Sequence, residues 1–476
     1  MSDLIELWGH QKKARKRAER LNYYGLFFDV GAGKTGTCIS MLRDKWALHR
    51  QLLPTLIICP PVVIENWKRE FLKFSKVSED RICTLSGPGS KRLETFKSSE
   101  SLIFITNFEV LSVASMQPLF EAFLEWGPDC LVFDESHKVK DIKSKRTKKA
   151  IKLADVSQYR YILSGTPILN SLMDIFTQYR ILDKGYSFGK NFFTFRAKYF
   201  YDANRGMPKD RYFPNWKPRK EATAEIKAIL EKTSMHITKA ECLDLPPLVK
   251  KTIYIEMSKS QRKLYNDMRQ DFIALVEGQG VAVAELAITK ALRLQQIASG
   301  FVPLELGGGE RKNFKIKDNP RAQALKEMLE EITPGNKVLV WAVFKENYRD
   351  IREVCDNLKI KYTELTGDVA ANDRQGNIDK FYQDDEVRVL IGNPQSGGIG
   401  VNLVPASYAI FYSRNFSLEN DIQAEARCYR GGSEIHDKVT RIDLVATDSI
   451  DELVAKSLAS KEEIGYKVLA SKIKEL

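Results

Sequence analysis

The 476-residue chain lacks several features that mark particular classes of protein. No apolar run approaches the roughly 18 residues that a transmembrane helix requires. The first ten residues, MSDLIELWGH, lack the charged segment and long apolar core of an export signal. The seven cysteines include no CxxC pair, which argues against a zinc site or a disulfide framework. We therefore expect no membrane partner and a reducing compartment: the cytoplasm of a prokaryote or phage-infected cell, or the nucleus in a eukaryote.

The chain has an excess of positive charge. Its 74 lysines and arginines outnumber 62 aspartates and glutamates, so the formal net charge is +12 and the pI is about 9.1. This excess predicts a polyanionic partner such as nucleic acid. The length predicts two or three domains, and an apolar content of 43% is sufficient for full cores.

A glycine-rich stretch follows the apolar run Leu26–Phe28 and precedes a segment of helical periodicity. This order of strand, loop and helix is typical of a P-loop, although the strict pattern has glycine where this chain has Phe28. The loop consists of Gly31, Ala32, Gly33, Lys34 and Thr35. In a P-loop, backbone N–H groups surround phosphate oxygens, Lys34 contacts the β- and γ-phosphates, and the Thr35 hydroxyl binds Mg²⁺. We also expect Gln11, just upstream, to read the adenine edge through its amide. The sequence therefore predicts ATP and Mg²⁺ as ligands.

Strand-like apolar segments alternate with helical segments after the P-loop, which predicts a doubly wound parallel sheet in an α/β fold. One of these strands ends in the adjacent carboxylates Asp134 and Glu135. Ligands bind at the carboxyl ends of such strands. We expect Asp134 to hold Mg²⁺ and Glu135 to orient and deprotonate the attacking water. The next strand ends in SGTP (164–167), which is suited to sensing the nucleotide.

These segments, together with PPVVIENWKREF (60–71), resemble motifs I, Ia, II and III of superfamily 2 helicases, and more narrowly the SWI/SNF-type double-stranded DNA translocases. The resemblance implies two RecA-like lobes, 1–247 and 248–476, with helical protrusions at about 172–240 and 258–318 and a C-terminal helix. About 170 residues between SGTP and the strand at 337–342 do not look like a sheet, and we expect a mobile loop at 307–320.

The second half resembles two further motifs of the same family. SGGIGVNL (396–403) resembles motif V, and the resemblance assigns Gly400 to the nucleotide and Ser396, Gly397 and Asn402 to DNA. QAEARCYR (423–430) resembles motif VI, although Ala426 and Tyr429 depart from the family pattern. Arg427 and Arg430 lie three residues apart, on one face if the segment is helical. They are expected to act as arginine fingers from the second lobe.

The family resemblance also predicts contacts with DNA phosphates, and hence weak sequence preference. The candidate residues outside motif V are Lys68, Arg69, Thr106 and Asn107. We expect a monomeric, DNA-stimulated ATPase that moves on duplex or branched DNA in replication, recombination or repair; nucleosome remodelling is less favoured. An RNA-directed or general unwinding helicase and a nucleotide-gated DNA clamp with little turnover remain as alternatives.

Overall fold

The structure is a computed structural model that describes residues 5–208, 212–242, 244–278, 283–306, 310–370, 373–395 and 401–469. Its described residues form two compact units. The first unit draws on Met1–Ala203, Pro214–Leu243 and Lys461–Leu476, and the second on Asn204–Phe213 and Asp244–Ser460. Among the described residues, no helix combines the length and apolar character needed to cross a membrane.

The first unit is built on a parallel sheet whose strand order is β3-β4-β2-β5-β6-β1-β9. A separate antiparallel hairpin consists of β7 and β8. The strands are β1 (Tyr23–Phe28), β2 (Thr55–Cys59), β3 (Ile82–Thr84), β4 (Ile103–Asn107), β5 (Cys130–Asp134), β6 (Tyr159–Leu163), β7 (Phe200–Asp202), β8 (Trp216–Pro218) and β9 (Ser234–Ile237). The helices are α1 (Gly9–Ala18), α2 (Lys34–His49), α3 (Ile64–Phe74), α4 (Gly89–Ser98), α5 (Gln117–Trp126), α6 (Lys145–Val156), α7 (Ile175–Leu182), α8 (Phe192–Tyr199), α9 (Ala222–Thr233) and α10 (Lys239–Cys242).

Successive residues of the central strands pack into different cores on the two faces of this sheet. In β2, Leu56 and Ile58 belong to one buried cluster, whereas Ile57 and Cys59 belong to another. Both faces are covered, so the strands read as continuous apolar runs rather than as alternating patterns. The carboxyl ends of β1, β5 and β6 are consequently held in fixed positions at one edge of the sheet.

The second unit has the same kind of sheet, with the parallel order β10-β17-β16-β13-β15-β14, and a separate hairpin of β11 and β12. The strands are β10 (Leu248–Ile255), β11 (Phe301–Leu306), β12 (Glu310–Lys315), β13 (Lys337–Trp341), β14 (Lys361–Leu365), β15 (Val387–Gly392), β16 (Ala406–Phe411) and β17 (Val439–Ala446). The helices are α11 (Lys259–Gly278), α12 (Val283–Ala298), α13 (Pro320–Ile332), α14 (Lys345–Asn357), α15 (Asp373–Gln383), α16 (Leu418–Glu425) and α17 (Ile450–Leu469). The α/β fold with two parallel sheets, predicted from the sequence, is confirmed.

The stretch between SGTP and β13 contains strands of both main sheets, contrary to the expectation that it contains no sheet. Strand β9 pairs with β1, and β10 pairs with β17 over eight residues, so each is an edge strand of a main sheet. The mobile loop predicted at 307–320 is also wrong in part, because β12 pairs with β11 from Glu310 to Lys315. Neither β9, which is four residues long, nor the basic strand β12 carries a local pattern that distinguishes it from a loop.

Candidate nucleotide site and nucleic-acid interface

The loop between β1 and α2 requires glycine at its last turn. Gly31 and Gly33 have φ angles of 92° and 77°, in the left-handed region. A Cβ atom on Gly33 would also lie 2.3 Å from the Nε2 atom of Gln11. Two independent constraints, backbone conformation and close approach of a side chain, therefore fix glycine at position 33.

Helix α1 packs directly on this loop. Buried Gln11 donates from Nε2 to the carbonyl oxygen of Gly33 (2.9 Å) and accepts at Oε1 from the backbone N–H of Trp8 (2.7 Å). His10 forms a hydrogen bond of 2.9 Å with the carbonyl oxygen of Ala32. Both ends of the Gln11 amide are thus used within the protein, so reading of adenine by Gln11 stays a prediction that requires this amide to exchange partners.

Lys34 opens α2 and its side chain turns back toward the end of β1. The Nζ atom donates to the carbonyl oxygens of Phe28 (2.8 Å) and Asp29 (3.3 Å). Thr35 follows it in the first turn of α2 and is half-buried. A positively charged side chain and a hydroxyl group thus lie beside the N-terminus of a 16-residue helix. This combination is suited to binding phosphate oxygens.

Asp134 is a buried carboxylate at the end of β5. Its oxygens accept from the indole N–H of Trp67 (2.9 Å) and from the backbone N–H of Glu135 (3.1 Å). Burial and the neighbouring charge of Glu135 raise the pKa of Asp134 to about 6, whereas Lys34 and the Trp67 hydrogen bond oppose that rise. Asp134 ends β5 and the P-loop follows β1. Strand β6 lies between these two strands in the sheet.

Glu135 adopts a left-handed backbone conformation, with φ 57° and ψ 54°. For a residue with a side chain this conformation is uncommon, and such strain is concentrated at functional sites. Its Oε2 atom lies 3.4 Å from the Nδ1 atom of His137. The same ring nitrogen is hydrogen-bonded to the Oγ atom of Ser164, the first residue of SGTP, at 2.9 Å.

A second link, through Gln178 of α7, joins the segment that carries Asp134 and Glu135 to the SGTP segment. Buried Ser136 donates to the Oε1 atom of Gln178 (2.7 Å), and the Nε2 atom of Gln178 donates to the carbonyl oxygen of Pro167 (2.6 Å). Sequence reasoning did not assign roles to His137, Gln178 or Trp67. His137 lies two residues after Glu135 and could have been found from that position. Trp67 lies within the quoted segment 60–71, but its partner, like those of Gln178, depends on tertiary packing.

The residues at this edge fit ATP and Mg²⁺. Gly33 leaves space that a Cβ atom would fill, Lys34 supplies a cation, and Thr35 and Asp134 supply oxygen ligands. Among the described residues, no three histidine, cysteine, aspartate or glutamate side chains converge as a complete metal cage. Mg²⁺ usually takes one or two protein ligands together with substrate phosphates and water, and Thr35 and Asp134 could provide two such oxygen atoms.

Arg427 and Arg430 follow α16 of the second unit rather than lying on it. The helix ends at Glu425, and residues 426–430 form turns, so the shared helical face considered for the two arginines is wrong. Arg427 is buried and its Nη1 atom donates to the carbonyl oxygen of Val401 at 3.4 Å. Burial lowers the pKa of the Arg430 guanidinium from its ordinary value, because the cation has lost part of its hydration.

A buried ion-pair network holds this segment against the second sheet. Arg441 of β17 pairs with Asp421 (2.8 Å), Glu425 (2.8 Å) and Asp443 (2.9 Å), and Arg414 pairs with Asp421 (2.8 Å) and Asp443 (2.9 Å). Its three carboxylate partners raise the pKa of Arg441 against the opposing effect of burial. The network fixes both the start and the end of α16, and hence the point from which the arginine segment departs.

The predicted DNA-contacting residues of the first unit differ in accessibility. Arg69 is exposed and Lys68, half-buried, pairs with Glu79 at 2.8 Å. Thr106 is fully buried and its hydroxyl donates to the carbonyl oxygen of Leu85. Buried Asn107 accepts from the Nη1 atom of Arg92 (2.9 Å). The side chains of Thr106 and Asn107 therefore serve internal contacts in this conformation, and their contact with DNA stays a prediction.

Motif V lies only partly within the described part of the chain. Asn402 is exposed. Its side-chain Oδ1 atom accepts from the backbone N–H of Val404 (3.3 Å), and its backbone carbonyl oxygen accepts from the Tyr382 hydroxyl (3.1 Å). The predictions for Ser396, Gly397 and Gly400 fall on residues outside the described ranges.

Comparison with known proteins identifies two matching family models. The SNF2-related domain matches residues 15–299, and the helicase conserved C-terminal domain matches residues 320–432. The first match alone covers more than half of the chain. The matched segments contain the P-loop and Asp134–Glu135 in the first case, and Arg427 and Arg430 in the second.

Similar proteins come from bacteria, phage and eukaryotes. An uncharacterized ATP-dependent helicase of Mycoplasma genitalium is 27% identical over 98% of this chain and 42% of its own length. Protein p41 of Acyrthosiphon pisum secondary endosymbiont phage 1 is 25% identical over 91% of this chain and 92% of its own length. The human DNA repair and recombination protein RAD54B is 24% identical over 91% of this chain and 50% of its own length. The chain thus spans about two fifths of the Mycoplasma helicase, half of RAD54B and nearly all of the phage protein.

Among solved structures, the Sulfolobus solfataricus SWI2/SNF2 ATPase core in complex with dsDNA is 24% identical, covers 98% of each chain and aligns with a TM-score of 0.44. The family assignment rests on the matching family model and not on this alignment. This chain belongs to the SNF2-related domain family, within the SWI/SNF-type helicases of superfamily 2.

Proposed function

We propose that this chain is a DNA-dependent ATPase that couples ATP hydrolysis to movement on duplex or branched DNA. The observation that carries the proposal is the set of groups at one sheet edge of the first unit: the Gly33 turn, Lys34 and the Asp134–Glu135 pair. Membership of the SNF2-related family supports it. RAD54B, named as a DNA repair and recombination protein, supports action on DNA. A chromatin-remodeling factor of Arabidopsis thaliana, PICKLE, is equally similar at 24% identity, so our preference for repair or recombination over nucleosome remodelling does not come from the relatives.

In this proposal each polar group at the carboxyl ends of β1 and β5 has one task, and two arginines of the second unit are added from the motif VI resemblance. Backbone N–H groups of residues 31–35 and the Lys34 ammonium bind phosphate oxygens. Thr35 and Asp134 would hold Mg²⁺, which when bound neutralises charge on the phosphate oxygens. Glu135 orients the attacking water and accepts its proton, because a glutamate held close to a bound water can act as a general base. Arg427 and Arg430 stabilise the negative charge that develops on the transferring phosphate.

Contacts with DNA are assigned to the accessible basic and polar groups of both units. Lys68 and Arg69 of α3 and exposed Asn402 are the described candidates, with Ser396 and Gly397 added by the motif V resemblance. They contact phosphates rather than base edges, so we expect affinity to fall steeply with salt and to depend little on sequence. We further propose that the protein works as a monomer.

The proposal is tested by steady-state ATP hydrolysis with no nucleic acid, blunt duplex DNA, single-stranded DNA, a four-way junction and RNA. Lys34→Ala and Glu135→Gln should each abolish the stimulation. Glu125→Gln, at an exposed glutamate on α5, is the matched control and should retain it. Full DNA-stimulated turnover in either site variant would overturn the proposal.

Two alternatives make different predictions in the same experiment. An RNA-directed or general unwinding helicase should respond best to RNA or single strands. A nucleotide-gated clamp should hydrolyse little, but should bind DNA with a salt dependence that changes when a non-hydrolysable ATP analogue is added. The strained backbone of Glu135 disfavours the clamp, because a protein without turnover does not need a precisely held water-activating carboxylate.

A further inference from the structure

Helix α8 of the first unit exposes an aromatic residue that its own core does not require. Asn191 caps the helix by accepting from the backbone N–H groups of Phe193 and Thr194 (2.8 and 3.2 Å). Phe195 and Tyr199 lie on the buried face of α8, within the core of the unit. Phe193 consequently points outward, and 65% of its surface is exposed.

Arg196 and Trp216 lie beside the exposed Phe193 ring. The guanidinium of Arg196 lies 4.0 Å from the centre of the Trp216 ring on β8 and 5.2 Å from that of Phe193. We call Phe193, Arg196 and Trp216 the Phe193 surface. Arg196 is half-buried, and its guanidinium is attracted to the faces of both aromatic rings, which favours one position of this side chain beside Phe193.

The chain around this surface is strongly basic. Residues 184–203 and 214–220 contain seven lysines and arginines and a single acidic residue, Asp202. The basic residues are Lys184, Lys190, Arg196, Lys198, Lys217, Arg219 and Lys220, of which Lys198 pairs with Glu225 of α9 at 3.4 Å. Arg219 lies against α8, since its Nη2 atom donates to the carbonyl oxygen of Ala197 at 3.2 Å.

We propose that the Phe193 surface binds unpaired nucleobases of a single-stranded DNA segment attached to the duplex. Phe193 stacks on a base, and the neighbouring lysines and arginines bind the adjoining phosphates, as in proteins that combine aromatic platforms with basic grooves. Duplex DNA does not suit the surface, because its bases are already stacked and present no free face. Aromatic residues and arginine are also common at protein interfaces, but lysine is depleted there, so the lysines in the segments around the Phe193 surface favour a polyanion over a protein partner.

This inference rests on the proposed function in taking DNA as the substrate, and it narrows that substrate to branched or tailed DNA. It concerns α8 and β8 alone and involves none of the residues assigned to ATP, Mg²⁺ or the phosphate contacts above. A variant at Phe193 should therefore leave hydrolysis on blunt duplex intact.

The experiment measures binding of the full chain by fluorescence anisotropy to three DNA probes: a blunt duplex, the duplex with a thymine tail, and the duplex with an abasic tail of equal length. The abasic tail keeps every phosphate and removes only the bases. The wild type should bind the thymine tail about 5- to 100-fold more tightly than the abasic tail, the range expected for one stacked base. Phe193→Ala should remove this difference and leave the other two affinities unchanged.

Two control variants and a second readout complete the test. Phe193→Trp should keep the preference, as should Tyr254→Ala, which removes an aromatic residue of matching 64% exposure on β10. A 2-aminopurine base in the tail should lose fluorescence on binding wild type and not on binding Phe193→Ala. Equal binding of both tails by wild type, or an undiminished preference in Phe193→Ala, would overturn the proposal. If the preference holds but blunt duplex does not stimulate hydrolysis, only the proposed function fails.

Discussion

The Nδ1 atom of His137 lies 2.9 Å from the Oγ atom of Ser164 and 3.4 Å from the Oε2 atom of Glu135. One buried imidazole thus joins the segment that carries the water-activating candidate to the SGTP segment at the end of β6. We infer that His137 positions the Glu135 carboxylate and links it to the SGTP segment.

His137→Ala should therefore lower the DNA-stimulated kcat about 10-fold, the scale found when an outer partner of a reacting group is removed. The KM for ATP should change little, because the two His137 contacts described above, with Ser164 and Glu135, involve no residue assigned to phosphate binding. Steady-state kinetics provide the measurement. His49→Ala, which removes a histidine bonded to Tyr159 in the same unit, is the control. An unchanged kcat in His137→Ala would contradict the positioning role.

Gly33→Ala should weaken nucleotide binding by about 5- to 30-fold, since a left-handed L-residue costs roughly 1–2 kcal/mol before any clash is counted. The added Cβ would also push against the Gln11 amide. Binding of a fluorescent ATP analogue measures the loss, and adding Gln11→Ala should recover only the part due to the clash. Gly9→Ala, where a Cβ meets nothing within 4 Å, should bind normally. Normal binding by Gly33→Ala would show that the turn can relax.

Asp134→Asn should stabilise the protein at pH 8 in the absence of Mg²⁺ and nucleotide. The folded-state pKa of about 6 lies above the ordinary value of 3.8, so ionisation of Asp134 opposes folding. The contribution of Asp134 to wild-type stability should fall as the pH rises from about 4 to 6 and should then level off, with a cost of up to about 3 kcal/mol. The gain from Asp134→Asn should accordingly be greatest above pH 6 and vanish near pH 4.

Urea unfolding in EDTA at pH 4.5, 6 and 8 checks this dependence. Asp385→Asn provides the control, because that side chain is 92% exposed and has little to gain from neutralisation. A gain from Asp134→Asn that is the same at all three values would mean that something other than the buried charge is responsible.

Arg441→Met should destabilise the second unit by about 3 kcal/mol, the low end for a broken buried ion pair, because Asp421 and Asp443 keep only Arg414 as a partner and Glu425 keeps Lys250. Arg441→Lys should recover only part of this loss. It restores the positive charge, but an ammonium lacks the planar fork with which a guanidinium contacts three carboxylates. Thermal unfolding measures both variants, with the exposed Arg349→Met as control. A shift in Arg441→Met no larger than that of the control would contradict a structural role for the network.

The sequence alone determined the features that depend on local composition. The P-loop, the Asp134–Glu135 pair and most strands of the two sheets could be predicted, because a strand buried on both faces is a short apolar run with a turn at its end. The resemblance to SWI/SNF-type helicases, drawn from these motifs, is confirmed by the family match.

Only the tertiary structure decided the features that depend on distant partners. Strand β9 exists because β1 offers it hydrogen bonds some 200 residues away in the chain, and no pattern in Ser234–Ile237 indicates this. The partners of Asp134, His137 and Arg441 likewise come from segments that folding brings together. Parallel pairing and buried ion pairs are non-local interactions, so their energies, unlike those of a glycine turn, cannot be read from neighbouring residues.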